Sequence, residues 1–187
     1  MSNFDLSENE APDFELNEET FNEVCPLACL YHQEAVRCLN GKAFLAGRIM
    51  LGASLEALLL AFANCYPEEA LKAASAPRVH GRVKRLIDWS LSNLVAVARE
   101  LKWLPAGLSM DENWDRSKAQ IGDYAVVINE SRNLIHPSRY VQDWSHRRNT
   151  RSYLLNEFKF VDGIINYLLD KIGDSLRGAV EKQEANQ

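Results

Sequence analysis

The chain has 187 residues, of which 47% are hydrophobic, so it is long enough to bury one sizeable core. Its formal net charge of −5 argues against a protein that coats nucleic acid nonspecifically, because such binding depends on an excess of Lys and Arg. The charge is uneven, since residues 1–36 hold nine acidic side chains and no Lys or Arg, whereas the rest holds 21 basic and 17 acidic side chains. A mildly basic body behind an acidic arm leaves room for a local anion site.

Residues 1–19 are acidic and rich in Asn and Ser, and they predict a disordered or loosely docked arm. The arm is also a candidate phosphate mimic that covers an anion site. Beyond it, Thr20 followed by Glu23 forms a capping-box pattern, which predicts a helix from residue 20 to the Asn-Gly stop at residues 40–41. Pro26 is expected near the first turns of this helix.

All four cysteines lie in the first half of the chain: Cys25, Cys29, Cys38 and Cys65. The N-terminus has no secretory-signal pattern, so we expect reduced, mostly buried thiols in a cytoplasmic protein. Cys25, Cys29 and His32 share one helical face, which raises a metal site as an alternative. The usual CxxC spacing and a second ligand pair are missing, however, and no metal or other cofactor is predicted.

Residues 42–66 form the most apolar segment, interrupted by charge only at Arg48 and Glu56. A helix that is apolar nearly all round either lies at the centre of a bundle or spans a membrane. Two internal charges, many Ala and Gly residues and the lack of a second such segment favour the central helix of a bundle. No membrane association is predicted.

The remaining patterns are helical. A short helix is expected from Pro67, an amphipathic helix over residues 82–104, a helix from an Asp115 cap to residue 136, and a long helix over residues 150–176. No alternating strand pattern occurs. The sequence therefore predicts an all-α, single-domain bundle of about five main helices over residues 20–177, followed by a polar tail over residues 178–187.

Residues 131–140, SRNLIHPSRY, place a guanidinium, an amide and an imidazole (Arg132, Asn133 and His136) in one turn of chain. Pro137 should end the helix near His136. On a helical wheel, Arg132 falls on an apolar face, next to His136, together with Ile121, Ala125, Ile128 and Ile135. A charge on such a face needs a carboxylate, a phosphate or an interface partner.

Glu56 is the predicted carboxylate partner of Arg132, because it is one of only two charged groups on the central helix. A purely structural interpretation follows from this pairing. In that interpretation Arg132 forms a buried ion pair with Glu56, and His136 caps the C-terminus of its helix, where a cation meets the helix dipole favourably.

The predicted loop over residues 137–149 is the most basic local run in the chain, with interleaved aromatic residues. Arg139, Arg147 and Arg148 are candidates for guiding RNA, and Tyr140 or Trp144 for stacking on a base. The alternative interpretation of this run is an ordinary solvated loop.

Taken together, these motifs resemble the HEPN superfamily of small α-helical bundles. The resemblance covers roughly residues 40–175 and depends on a central apolar helix containing ASLEALL, a later helix ending in RNLIHP, a polar loop and a long final helix. Three residues separate Arg132 from His136, one fewer than the shortest usual spacing in that family.

The resemblance implies a metal-independent ribonuclease of the toxin, antiphage-defence or RNA-processing kind, acting as a homodimer in which two motifs form one cleft. Arg132, Asn133 and His136 then match the family's arginine, polar residue and histidine, with Glu56 in support. His136 would act as general base or acid, and Arg132 would stabilise charge on the phosphate. The alternative is a non-catalytic HEPN-like interaction or regulatory module with a nucleotide or a protein partner.

Overall fold

The structure, a computed structural model, describes residues 14–109, 113–142 and 149–184, with side chains up to residue 173. Over this part of the chain it confirms the predicted all-α bundle. Five helices have ten or more residues: α1 (Glu18–Asn40), α2 (Phe44–Cys65), α4 (Leu91–Glu100), α5 (Ile121–Arg132) and α7 (Arg151–Glu184). Two helices have six residues each, α3 (Pro67–Lys72) and α6 (Pro137–Gln142).

The apolar helix α2 lies at the centre, as its composition predicts. It packs against α1, α4, α5 and α7, and half of its residues are buried. Within the described residues it is also the one helix long and apolar enough, by length and composition, to cross a membrane. Half of its most apolar window is buried inside this fold.

The N-terminal arm joins the fold earlier than predicted. The Asn17 side chain, not Thr20, caps α1, since its Oδ1 accepts a hydrogen bond from the Thr20 backbone at 2.8 Å. Pro26 therefore lies well inside the helix rather than in its first turns. Leu16 is buried, and its N–H donates to Asn64 Oδ1 at 2.7 Å. The described end of the arm is thus packed, and residues 1–13 lie outside the described part.

The predicted helix over residues 82–104 is wrong in its first half. Residues 78–83 form a small antiparallel hairpin of strands β1 (Arg78–Val79) and β2 (Arg82–Val83), followed by a 3₁₀ turn, so the expectation of no strand is also wrong. His80 and Gly81 both have positive φ, of 50° and 80°, as a two-residue hairpin turn with the right twist requires. The helix proper begins only after Ser90, whose side chain forms a capping box with Asn93.

Other boundaries also differ from the predictions: α4 ends at Glu100 rather than at residue 104, and α7 extends to Glu184 rather than ending near residue 176. Helix α5 begins at Ile121 after a Gln120 cap, because the Asp115 carboxylate instead accepts hydrogen bonds from the Ser117 N–H and hydroxyl. The predicted loop after residue 136 begins with α6, since Pro137 stops one helix and is well suited to the first position of the next.

Candidate functional site

At the α5–α6 junction, the predicted site residues Arg132, Asn133 and His136 have three different backbone conformations. The α-helix ends at Arg132, Asn133–Ile135 is a 3₁₀ turn, and His136 is extended with φ −82° and ψ 120°. Pro137 explains the extended residue, because it disfavours helical backbone at the position before it. The His136 carbonyl then accepts the Tyr140 N–H at 2.9 Å, so His136 precedes α6 as its cap residue.

The 3₁₀ turn changes which side chain is buried at this junction. Leu134 is buried, whereas Ile135 is 58% exposed. The predicted apolar face of α5 is therefore correct for Ala125 and Ile128 and wrong for Ile135. A 3₁₀ turn has three residues per turn rather than 3.6, so it rotates Ile135 away from the face that an unbroken α-helix would give it.

Arg132 contacts the carboxylate predicted for it. Its Nη2 lies 2.6 Å from Glu56 Oε2, and Glu56 Oε1 accepts the Leu91 N–H at 2.9 Å. One carboxylate thus joins the end of α5 to the first turn of α4. The pair is only partly buried, with 33% of the Arg132 side chain and 23% of the Glu56 side chain exposed. The structural interpretation is therefore right about the partner and wrong about full burial.

A close approach of two helices positions Arg132. A Cβ added to Gly52 of α2 would lie 2.6 Å from Arg132 Cβ. The missing side chain at Gly52 lets α5 approach α2 closely enough for the Arg132 side chain to cross it and reach Glu56.

His136 is exposed, and its ring makes no hydrogen bond or ion pair within the described residues. It occupies a cap position through its backbone, with its N–H donating to the Asn133 carbonyl at 3.1 Å. Asn133 follows Arg132 directly and is half-buried. The motif thus combines a guanidinium held by a carboxylate with an imidazole open to solvent.

Sequence reasoning missed a second, fully buried ion pair beside the motif. Arg48 of α2 donates its Nε to both oxygens of Glu157 of α7, at 2.9 and 3.0 Å, and its Nη2 to Ser131 Oγ at 2.7 Å. Ser131 immediately precedes Arg132, so this network fixes the last turn of α5. A signal was available, because Glu157 lies on the apolar stripe of α7 between Leu154 and Phe158, where a lone carboxylate needs a cation.

The predicted RNA-guiding residues are only partly within the described chain. Arg139 is exposed on α6, and Tyr140 is half-buried beside it. Arg147 and Arg148, together with Trp144, lie outside the described residues. Val141 is 69% exposed, so α6 presents an apolar side chain as well as a cation next to His136.

The cysteine prediction fails on burial. Cys25, Cys29 and Cys65 are exposed on the walls of a largely apolar groove of about 720 Å³ between α1, α2 and α7. Partial burial raises the pKa of the Cys25 and Cys65 thiols, which keeps both protonated at neutral pH. His32 lies in the same groove, with its Nε2 2.8 Å from Asp162 Oδ1. The described part of the chain contains no group of three potential ligands that could hold a metal ion.

The fold and the junction define an all-α helical bundle with a polar motif at one helix end. Comparison with protein-family models, with curated proteins and with solved structures gave no match to this chain. The HEPN resemblance therefore stays a prediction from the residues themselves.

Proposed function

We propose that this protein is a HEPN-like homodimer that cleaves RNA without a metal ion, using the α5–α6 junction as its site. The observation that carries the proposal is the pairing of an exposed imidazole, His136, with a carboxylate-held guanidinium, Arg132, one short turn earlier in the chain. These are the two groups that 2′-hydroxyl attack on a phosphodiester needs.

The chemistry divides between the two side chains. His136 removes the proton from a ribose 2′-hydroxyl or returns one to the leaving oxygen. Arg132 stabilises the charge that grows on the phosphate. A guanidinium has several N–H donors, and only Nη2 bonds to Glu56 within the described residues, so the remaining donors can reach a phosphate.

Glu56 contributes by fixing the position of Arg132. Because its other oxygen binds the Leu91 N–H, the carboxylate is held by the scaffold rather than by solvent. A positioned cation loses less conformational entropy when it binds a transition state. Asn133 supplies an amide that orients the substrate, and the exposed Arg139 adds positive charge along the approach.

The test is cleavage of single-stranded RNA and transfer RNA by the purified protein in EDTA. Wild type should produce discrete fragments, and His136→Ala should lose this activity while keeping its fold by circular dichroism. Arg132→Lys, which keeps the charge but loses the planar fork, should be strongly impaired. Wild type and variants that are equally inert on a broad RNA panel would overturn the enzyme proposal.

A second candidate is a non-catalytic HEPN-like interaction module, favoured by the exposed Ile135 and Val141 beside the motif. In that case the junction is an apolar contact surface, and Arg132 secures the helix end behind it. Ile135→Glu with Val141→Glu should then dissociate the dimer in sedimentation experiments, while wild type cleaves no RNA. A wild-type monomer, or a dimer unaffected by both changes, would contradict this candidate.

A further inference from the structure

A basic hairpin lies outside the proposed cleavage site. Residues 78–85, RVHGRVKR, contain four Arg or Lys residues and one His but no acidic residue, in a chain whose formal net charge is −5. All four of these cations are exposed, as is the turn residue His80. The sequence pattern had assigned the second half of this run to a helix, so its geometry became visible only in the fold.

The strand register sorts these cations into two faces. Val79 pairs with Arg82 and Arg78 with Val83, and the ladder continues through the Lys84 N–H, which donates to the Pro77 carbonyl at 2.9 Å. Side chains alternate along a strand, and directly paired residues share a face. Arg82, Lys84 and Val79 therefore lie on one face of the hairpin, and Val83 and Arg78 lie on the other.

The face that carries Val83 turns towards the protein. Val83 is half-buried against the core, and the Arg78 guanidinium donates to the carbonyls of Ala73 and Ala76, both at 3.3 Å. Arg85 pairs with Asp88 at 3.0 Å. These two arginines therefore serve the local fold.

The opposite face is open and positive. Val79 is 49% exposed, and the Arg82 and Lys84 side chains have no ion pair or hydrogen bond to any residue that the structure describes. Two exposed cations without a carboxylate, on one face of a ribbon, are available to an anionic partner.

The hairpin is anchored at its base. Trp89 Nε1 donates to the Lys84 carbonyl at 3.1 Å, and the Glu100 carboxylate accepts the N–H groups of Ala74 and Ser75 at 2.6 and 2.8 Å. The hydrogen bond from the Ser75 hydroxyl, with those of the two N–H groups, lowers the pKa of Glu100, so this anchor stays ionised well below neutral pH. A held ribbon presents its cations at fixed positions.

We propose that the open face of this hairpin, with Arg82 and Lys84, is a binding surface for the phosphate backbone of RNA. Affinity for such a backbone comes from cations that displace condensed counterions. Arg82 and Lys84, which have no partner among the described residues, supply that contact without reading sequence. The choice of RNA as ligand rests on the proposed function. The surface would extend the substrate's contacts beyond the residues that cleave it.

The experiment measures binding of full-length protein to a short fluorescent oligouridylate methylated at every 2′-oxygen. This probe cannot be cleaved through its 2′-hydroxyl, so binding is measured independently of catalysis. Anisotropy titrations from about 50 to about 200 mM salt compare wild type with Arg82→Ala/Lys84→Ala. The double variant should raise Kd on the order of tenfold and reduce the slope of log affinity against log salt by about 1.4, or about 0.7 for each lost phosphate contact.

Two matched controls separate the hairpin from net charge. Arg82→Lys/Lys84→Arg keeps both cations and should bind like wild type. Arg37→Ala/Lys159→Ala removes two exposed charges from α1 and α7 and should change Kd little.

The proposal is overturned if Arg82→Ala/Lys84→Ala binds with the Kd and salt slope of wild type, or if the α1 and α7 control weakens binding as much. Circular dichroism establishes that each variant is folded. If the hairpin variant loses affinity but wild type cleaves no RNA, the cleavage proposal fails while the binding surface stands. If wild type cleaves RNA through His136 but binding does not depend on the hairpin, the cleavage proposal stands and the hairpin proposal fails.

Discussion

Two ion pairs hold the C-terminal end of α5, and they differ in their access to water. The Arg48–Glu157 pair has side-chain exposures of 3% and 1%, whereas Arg132 and Glu56 are exposed by 33% and 23%. Removing one partner of a buried pair leaves an uncompensated charge in a medium that solvates it poorly. Solvent screens the partly exposed pair, so its loss should cost less.

This contrast gives a stability prediction. Arg48→Ala should lower the free energy of unfolding by about 3–5 kcal/mol, because Glu157 stays buried without its cation. Arg132→Ala should lower it by only about 1 kcal/mol. Urea denaturation of the two variants measures both values. An effect of Arg132→Ala as large as that of Arg48→Ala would mean that the Glu56 pair is a main structural support rather than an accessible site.

Residue chemistry alone identified one of these pairs and missed the other. Arg132 lies on a predicted apolar face and therefore needed a partner. Glu56 was the predicted partner because it is one of two charged residues on the central helix. Arg48 is on that same helix, but its partner Glu157 lies 109 positions away. Nothing local in the sequence specifies which distant carboxylate a buried arginine will meet.

The position of Arg132 depends on how closely α5 approaches α2. Any side chain at Gly52 would overlap Arg132 Cβ. Because Cβ is fixed to the backbone, Arg132 could not avoid this overlap by changing its side-chain rotamer. By contrast, an added Cβ at Gly163 of α7 would have its nearest neighbour, Ile121 Cδ1, at 3.9 Å.

These two glycines predict opposite effects of the same substitution. Gly52→Ala should lower the free energy of unfolding by about 1–3 kcal/mol, since overpacking forces the helices apart, and should displace Arg132 from Glu56. Gly163→Ala should instead raise it by about 0.5–1 kcal/mol through helix propensity. Thermal and urea unfolding measure both changes, and equal effects of the two substitutions would contradict the packing argument.

The sequence predicted the element type correctly for α2 and α7, but not for residues 82–90. The centre of the bundle, α2, was predicted from its all-round apolar character, and α7 began within one residue of its predicted start. The hairpin was missed because Val83, Leu86 and Leu91 have helical spacing by coincidence. In the structure Val83 is half-buried in a strand, Leu86 is buried in a 3₁₀ turn and Leu91 is buried in a helix. Only the Ser90 capping box marks where that helix begins.

The sequence also predicted part of the backbone conformation of residues 131–140. Pro137 fixed the end of the helical segment, and the sequence predicted that correctly. No sequence signal marked the change from α-helix to 3₁₀ turn after Arg132. This change exposes Ile135, and it leaves His136 in solvent while Arg132 is paired with Glu56. The sequence therefore predicted where this helical segment ends, but not the relative placement of Arg132 and His136.

At the scale of the whole molecule, the acidic arm enters the fold beside the basic hairpin. The Phe14 carbonyl accepts the Leu86 N–H at 3.0 Å, and the Phe14 ring packs edge-on against Trp89, which also bonds to Lys84. Residues 1–13, which precede Phe14, contain four acidic side chains and no Lys or Arg. Because residues 1–13 are joined to Phe14, these four charges are tethered to the fold next to the hairpin.

We therefore expect the arm to compete with RNA. Deleting residues 1–13 should lower the Kd for the methylated oligouridylate several-fold, and the gain should shrink as salt screens the competing charges. The deletion has to stop there, because Leu16 and Asn17 belong to the folded core and the α1 cap. A full-length protein with the four acids of residues 1–13 changed to amides should behave like the deletion, and an unchanged Kd in both proteins would rule out competition.

We propose that two copies of the α5–α6 junction form one RNA-cleaving cleft, and mixing active with inactive subunits tests this arrangement. A constant amount of wild-type protein is incubated with increasing His136→Ala protein until subunits have exchanged, and RNA cleavage is measured in EDTA. A composite cleft predicts that activity falls steadily as mixed dimers replace wild-type dimers. Activity that stays constant while inactive protein is added, or no cleavage by wild type at all, would contradict the claim.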